Sequence, residues 1–362
     1  MAEATGTGAT EAGRAALARG AWAEARAAFE AAVAERATPE ALEGLSWAAW
    51  WQADAEAMFA AREAAYRGYR ERGDDVAAAR MAMWLGSDHV DFRGELAIAN
   101  GWLARARRLL GPADRTPAAG MLNVHEAEKA LLVEDTATAL RLAGEAAEIG
   151  RRAGDPDLEA LAAATAGLAL VTEGRVAEGM AMLDEAAATC LAGDVRELWA
   201  ASWCCCYVIY ACERVRDLDR AGQWCRRAVE FAERHGVESF NRLCRAHYAG
   251  VLIWRGTWAE AEAELLAARE RLEATRPAWA AEAVVRLAEL RRRQGRLEEA
   301  ADLFAQAEGH PLALVGCAEV HLDRGDAAAA ADLLDRFLRE VPPRSRTQRA
   351  LGLEAAVRAR AG

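Results

Sequence analysis

Two sets of residues in this chain have the types and spacing to do chemistry. In the first, aromatic rings sit beside charges: Trp84 with Asp88, His89 and Asp91, and Trp203 with Tyr210, Glu213 and Arg214. On a helix, residues three, four or seven apart share a face, so each set presents rings next to a few charges. That combination suits holding a peptide or an amphipathic ligand, because aromatic planes give rigid contact area and Trp, Tyr and Arg dominate binding hot spots. Asp88, His89 and Asp91 also have the types for general acid–base work, which needs them together in a closed pocket. The second set is Cys204-Cys205-Cys206 with Cys212 and Cys225. Three consecutive helical residues point about 100° apart and cannot clasp one ion. No C-x-x-C pair and no histidine at ligand spacing accompanies them. They read as buried core cysteines, with Cys206 the one turned toward the ligand-facing side and open to reaction.

The remaining candidates are weaker. His89, His125, His235, His247, His310 and His321 are scattered, and no H-E-x-x-H, G-x-S-x-G, Walker or G-x-G-x-x-G motif appears. The arginine runs around Arg105–Arg108 and at Arg291-Arg292-Arg293 read as solvated helix faces, with Arg292 and Arg293 placed to meet an acidic group. No metal or cofactor is expected. Formal net charge is -11, and Lys129 is the sole lysine. An acidic chain is a poor partner for phosphate backbones, so direct nucleic-acid binding is not expected. The start of the chain has no basic segment followed by an apolar core. Its most apolar stretch, Trp203–Ala211, is too short to span a bilayer. The expected setting is cytoplasmic, and core cysteines fit it.

The elements that must position these residues are set by one recurring pattern, a Gly-X turn followed by A-x-x-x-[LF]-x-x-A. It reads GAWAEARAAFEAA at Gly20–Ala32, GRVAEGMAMLDEA at Gly174–Ala186, GTWAEAEAELLAA at Gly256–Ala268 and GRLEEAADLFAQA at Gly295–Ala307. The two small residues and the large one lie on one helix face, where small side chains allow close approach and the Leu or Phe fills the gap. The first small position recurs at Ala25, Ala99, Ala139, Gly179, Ala221, Ala261, Ala300 and Ala330. Ala99, Ala139 and Gly179 are 40 residues apart in turn. Twelve residues earlier lies another small residue, at Gly13, Ser87, Ala127, Gly167, Ala249, Ala288 and Ala318, with Ile209 as the exception. No alternating run of strand type stands out. The reading is an all-α solenoid of nine helical hairpins plus a last helix near Thr347–Arg360. Residues 1–10 form a flexible lead, and 11–362 form a single solenoid domain. Each hairpin is expected to touch only its neighbours.

This small/large pattern resembles the tetratricopeptide repeat (TPR) over most of Glu11–Leu338. The usual unit is about 34 residues, and most units here are five to six longer. Such long units are similar to the solenoid region of LuxR-type, ligand-responsive transcription regulators. The strings ALEGLSWAAWW at Ala41–Trp51, DFRGELAIANGWL at Asp91–Leu103 and CRAHYAGVLIWRG at Cys244–Gly256 carry that likeness. It implies a right-handed superhelix that binds on its concave face, as the non-catalytic sensing arm of a regulator. Regulators of that kind end in a helix-turn-helix domain. The chain stops at Arg360-Ala361-Gly362, so DNA binding is not carried over. It reads as a fragment of a longer regulator or a stand-alone relative. Taking the turn as register, Trp84, Asp88, Trp203, Tyr210 and Arg214 are the expected ligand- or partner-binding residues. Trp47, Trp50 and Trp51 are placed inward with them. The partner would be a protein, a peptide or a small ligand in the groove. Leu351, Leu353, Ala356 and Val357 on the last helix form an apolar strip that predicts self-association. The other readings are a structural assembly scaffold, or an enzyme whose pocket is built in the solenoid as in protein prenyltransferase α-subunits.

Overall fold

The computed structural model describes residues 2–111 and 114–361; of residues 2–7 and 238–242 it describes the backbone alone, and Gly362 lies outside. Among the described residues there are nineteen α-helices, one short 3-10 turn and no strand. They pair into nine hairpins: α1(Ala2–Ala18) with α2(Trp22–Glu35), α3(Pro39–Trp51) with α4(Ala55–Glu71), α5(Asp75–Arg93) with α6(Leu96–Leu110), and α7(Pro117–Leu132) with α8(Thr136–Ala153). Then come α9(Pro156–Thr172) with α10(Val176–Ala192), α11(Leu198–Val215) with α12(Leu218–His235), and α13(Glu238–Arg255) with α14(Trp258–Thr275). The last two pairs are α15(Ala280–Arg293) with α16(Leu297–Gln306) and α17(Pro311–Asp323) with α18(Ala327–Glu340). A final helix, α19(Arg346–Ala361), follows. The fold is an all-α, TPR-like superhelical solenoid. α1 takes in most of the segment that the sequence analysis set aside as a flexible lead.

Local chemistry starts and stops these helices. Asp54, Asp74, Asp135, Asp155, Asp217 and Asp326 each precede a helix, and their carboxylates accept the amide three residues on. Such a cap satisfies one of the amides that a helix start leaves unpaired. Thr38 and Thr116 do the same with proline in the next position. Gly94, Gly154, Gly193 and Gly256 follow their helices in the left-handed conformation.

Packing follows the small/large pattern. Ala25, Ala99, Ala139, Ala221, Ala261, Ala300 and Ala330 are all fully buried. Gly167 and Gly179 cross so closely that a Cβ on Gly179 would lie 2.5 Å from the Gly167 carbonyl oxygen. The Phe29 ring fills the space left by Gly13 in its own hairpin and by Gly44 in the next. Ser87 departs from the expected register: it is half-buried, and Gly86 meets Leu103 and the Ala99 carbonyl instead.

The nearest-neighbour expectation needs correction, because distant hairpins also touch. Trp22 Nε1–H donates to the Gly236 carbonyl at 2.9 Å, tying the first hairpin to the α12–α13 corner. The segment Arg276–Trp279 packs against α5. There the Arg276 guanidinium sits 4.6 Å from the Trp50 ring and 4.4 Å from Phe92. α19 packs against α9 and α11. The cause is aromatic bulk on the inner faces. Trp22, Trp51, Trp50, Trp47, Trp84, Trp199, Trp203 and Trp279 form one continuous chain of ring contacts, with centroids 4.4–6.4 Å apart. Each such pair adds about 0.5–1.5 kcal/mol beyond the area it buries.

Candidate functional site

The aromatic column runs from Trp22 to Trp279. Beyond it lies a cavity of about 1050 Å³ walled chiefly by the first helices of the later hairpins and by α19. Small-ligand pockets typically span roughly 300–1,000 Å³. Its aromatic wall is Trp203, Tyr207 and Tyr210 from α11, Trp254 from α13, and Trp279.

Of the five expected binding residues, Trp203, Tyr210 and Arg214 line this cavity and Trp84 and Asp88 do not. Trp84 is 4% exposed and lies within the column, edge-on to Trp47, His125 and Trp199. Asp88 is fully buried and accepts a bond from Arg62, a guanidinium that is itself fully buried. A buried carboxylate needs such a partner, so the packing claims Asp88, which does not reach the cavity. Trp47, Trp50 and Trp51 likewise belong to the column. The Asp88, His89 and Asp91 trio fans out: His89 Nδ1 lies 2.7 Å from Glu95, while only Asp91 reaches the cavity. Burial pushes the Asp91 carboxyl well above the usual carboxylate range.

Most polar groups of the wall are already engaged with one another. Arg286 on α15 donates to both carboxylate oxygens of Glu213 at 2.7 and 2.6 Å and to Glu282 at 2.7 Å. Burial alone would raise the Glu213 carboxyl. The Arg286 charge and the hydrogen bonds around it outweigh burial and hold it below its ordinary value. Glu282 is held well below its ordinary value, burial again being outweighed, here by His310 and Arg286. Arg214 donates to Tyr210 Oη and, at 2.9 Å, to Thr172 Oγ1. Two of the expected residues thus bond each other. Arg292 and Arg293 do reach the cavity, where both are held by Glu289. Tyr207 Oη–H donates to Glu128 at 2.9 Å and in turn accepts from Trp203.

The cysteines depart from the expected reading at one point. Cys206 does line the cavity, but it is joined to Cys244 by a disulfide that links α11 to α13. Cys204, Cys205, Cys212 and Cys225 are free and buried. Burial pushes the Cys212 and Cys225 thiols up to about 12, so neither is poised as a thiolate. Sequence reasoning passed over Tyr207, Trp279, Arg286 and Lys129. Trp279 lies in the 3-10 turn between hairpins, where the repeat register says nothing. Lys129 was visible only as an oddity of composition.

No family model matches the chain, and no curated protein matches it. A solved structure shares its fold. The chain is similar to a Rap protein crystallised in complex with competence and sporulation factor, with a TM-score of 0.58, 10% identity and 98% of each chain covered. A tetratricopeptide repeat protein from Parabacteroides merdae matches 76% of this chain and 98% of its own, at a TM-score of 0.44 and 13% identity. Yeast Tom70 covers 100% of this chain and 96% of its own, at a TM-score of 0.35 and 12% identity. At these identities the likeness is one of fold, and the Rap protein carries it. Among the described residues no helix is long and apolar enough to cross a membrane.

Proposed function

We propose that this chain is a non-catalytic, TPR-like binding module that takes a ligand or peptide in its central cavity, as the sensing arm of a cytoplasmic transcription regulator. The observation that carries this reading is the cavity wall, in which Trp203, Tyr207, Tyr210 and Trp279 stand beside side chains fixed by mutual hydrogen bonds. A wall held by its own bonds is preorganised, and preorganisation lowers the cost of binding. The Rap protein of similar fold was crystallised with a partner factor, which accords with a binding role. Catalysis is disfavoured because Asp88, His89 and Asp91 point to different partners.

The proposed binding residues are Trp203, Tyr210 and Arg214. Native mass spectrometry of freshly isolated protein, followed by thermal-shift screening of peptides and small molecules, tests the reading. Trp203→Ala should weaken binding of the hits at least tenfold while leaving the helical circular-dichroism signal intact. Hits that bind Trp203→Ala as well as the parent would refute the site.

A scaffold role has one observation in its favour. Leu353 and Val357 on α19 are 47% and 67% exposed, an apolar strip suited to self-association. Sedimentation of the parent and of Val357→Glu would show it as a concentration-dependent shift lost in the variant.

A further inference from the structure

The cations around the cavity are not equally engaged. Six arginines line it, and each lies within 4.0 Å of a carboxylate: Arg286 at Glu213, Arg292 and Arg293 at Glu289, Arg358 at Glu319, Arg214 at Glu134 and Arg216 at Glu354. The seventh cation, Lys129, has no ion pair or hydrogen bond from its ammonium group among the described residues. The carboxylate beside it in sequence, Glu128, does not serve it. Glu128 accepts from Tyr207 at 2.9 Å and lies 3.2 Å from His125 Nδ1. Asp91, another wall carboxyl, is pushed toward its neutral form by burial and is bonded to Ser87. One ammonium is therefore left without a direct partner among the described residues, in a half-enclosed space that has an aromatic wall on one side.

Two features say what would meet it. Lys129 is half-buried on α7 and lines the cavity, and a half-buried lysine commonly buries its apolar stem while its ammonium stays in open space. The contacts next to it lead straight to the aromatic wall. Glu128 is bonded to Tyr207, Tyr207 to Trp203, and the Trp203 ring lies 6.2 Å from Trp279. An ammonium without a direct partner, in a cavity that also has an aromatic wall, fits a molecule with one anionic end and an apolar body.

Resting on the cavity-binding reading above, we propose that Lys129 is the anion anchor of the cavity and that its ligand is an amphipathic monoanion. The ligand carries one carboxylate, which pairs with the Lys129 ammonium, on an apolar body laid against Trp203 and Trp279. Lys129 also stands in the last turn of α7, where a cation complements the helix dipole. That role alone predicts an effect on stability and none on the choice between anionic and neutral ligands.

The test compares 2-naphthoate with 2-naphthamide, nearly equal in shape and differing in charge, by isothermal titration against the full chain. The parent should bind the anion about ten- to a hundredfold more tightly, the range expected of a charge-assisted bond in a partly buried site. Lys129→Met should erase that preference and keep the weaker binding of the amide, and Lys129→Arg should retain it. A second readout avoids variants altogether. Reductive methylation with 13C-formaldehyde labels the amino terminus and the single lysine. The Lys129 signal should shift on adding naphthoate and stay still on adding naphthamide. Equal binding of both probes, or an anion preference that survives Lys129→Met, overturns the anchor and leaves the cavity reading standing. Failure of both probes to bind the parent overturns the anchor, and if the ligand screen is also blank the cavity reading falls with it.

Discussion

Arg286 and Glu213 are bound to each other twice, Nε–H to Oε1 at 2.7 Å and Nη2–H to Oε2 at 2.6 Å, although 73 residues separate them. The pair joins α15 to α11 and is almost out of water, with side-chain exposures of 4% and 13%. Arg286→Met should leave Glu213 and Glu282 without their cation and cost about 3–5 kcal/mol, as loss of one partner from a buried pair does. Chemical denaturation of the parent, Arg286→Met and the double variant with Glu213→Gln measures this. The double variant should recover part of the loss.

The same pair sets an acid limit. Glu213 and Glu282 both titrate below their ordinary values in the folded chain. A carboxyl depressed by folding contributes stability above its unfolded pKa and loses it as pH falls through the folded one. Melting temperature should therefore drop as pH falls below about 4. The drop should be shallower in Arg286→Met, where the cation that favours ionisation is gone. Equal slopes would show that other groups govern acid unfolding.

Helix spacing makes a sharper demand. Ala261→Leu places a branched side chain at a fully buried helix contact and should cost about 1–3 kcal/mol. Gly179→Ala puts its Cβ 2.5 Å from a backbone oxygen that has no rotamer to escape into, and should cost at least as much. Unchanged melting temperatures for both would mean that the register of the repeats is different.

Thiol counting tests the Cys206–Cys244 link. Unfolded, unreduced protein should titrate six free thiols, against the eight cysteines of the chain after reduction. Closing a loop of 38 residues is worth roughly 3–4 kcal/mol by chain entropy. Reduction should lower stability by up to that amount. Eight thiols before reduction would show the pair to be open.

Arg276 lies among Asp88, Asp91, Trp50 and Phe92, far from it in sequence. Arg276→Met should cost on the order of 3 kcal/mol and raise hydrogen exchange in α3 and α5 with little change in α17 and α18. Uniform exchange along the chain would argue against a local latch.

Much of the fold was legible because the repeat is local. A small residue, a large one and a turn glycine repeat at nearly constant spacing, so Ala25 to Ala330 could be placed from sequence alone. The inner face was less legible, because helix register fixes a direction but not a depth. Trp84 and Trp203 both point inward, yet Trp84 is stopped by Trp47 and Trp199 while Trp203 reaches the cavity. Asp88 was taken from the site by Arg62, whose position depends on how neighbouring hairpins stack. The Cys206–Cys244 link and the Arg276 contacts depend on how far the coil is wound, which no single repeat encodes.

The bond from Trp22 to Gly236 has a mechanical consequence. An open coil lengthens like a spring, each turn yielding a little and independently of the rest. Here the first turn is stitched to the α12–α13 corner, the Arg276 segment is stitched to α5, and α19 is laid on α9 and α11. A coil stitched in this way resists stretching turn by turn. A displacement of any one turn is opposed at these seams, where Trp22 of α2, the Arg276 segment and α19 are held.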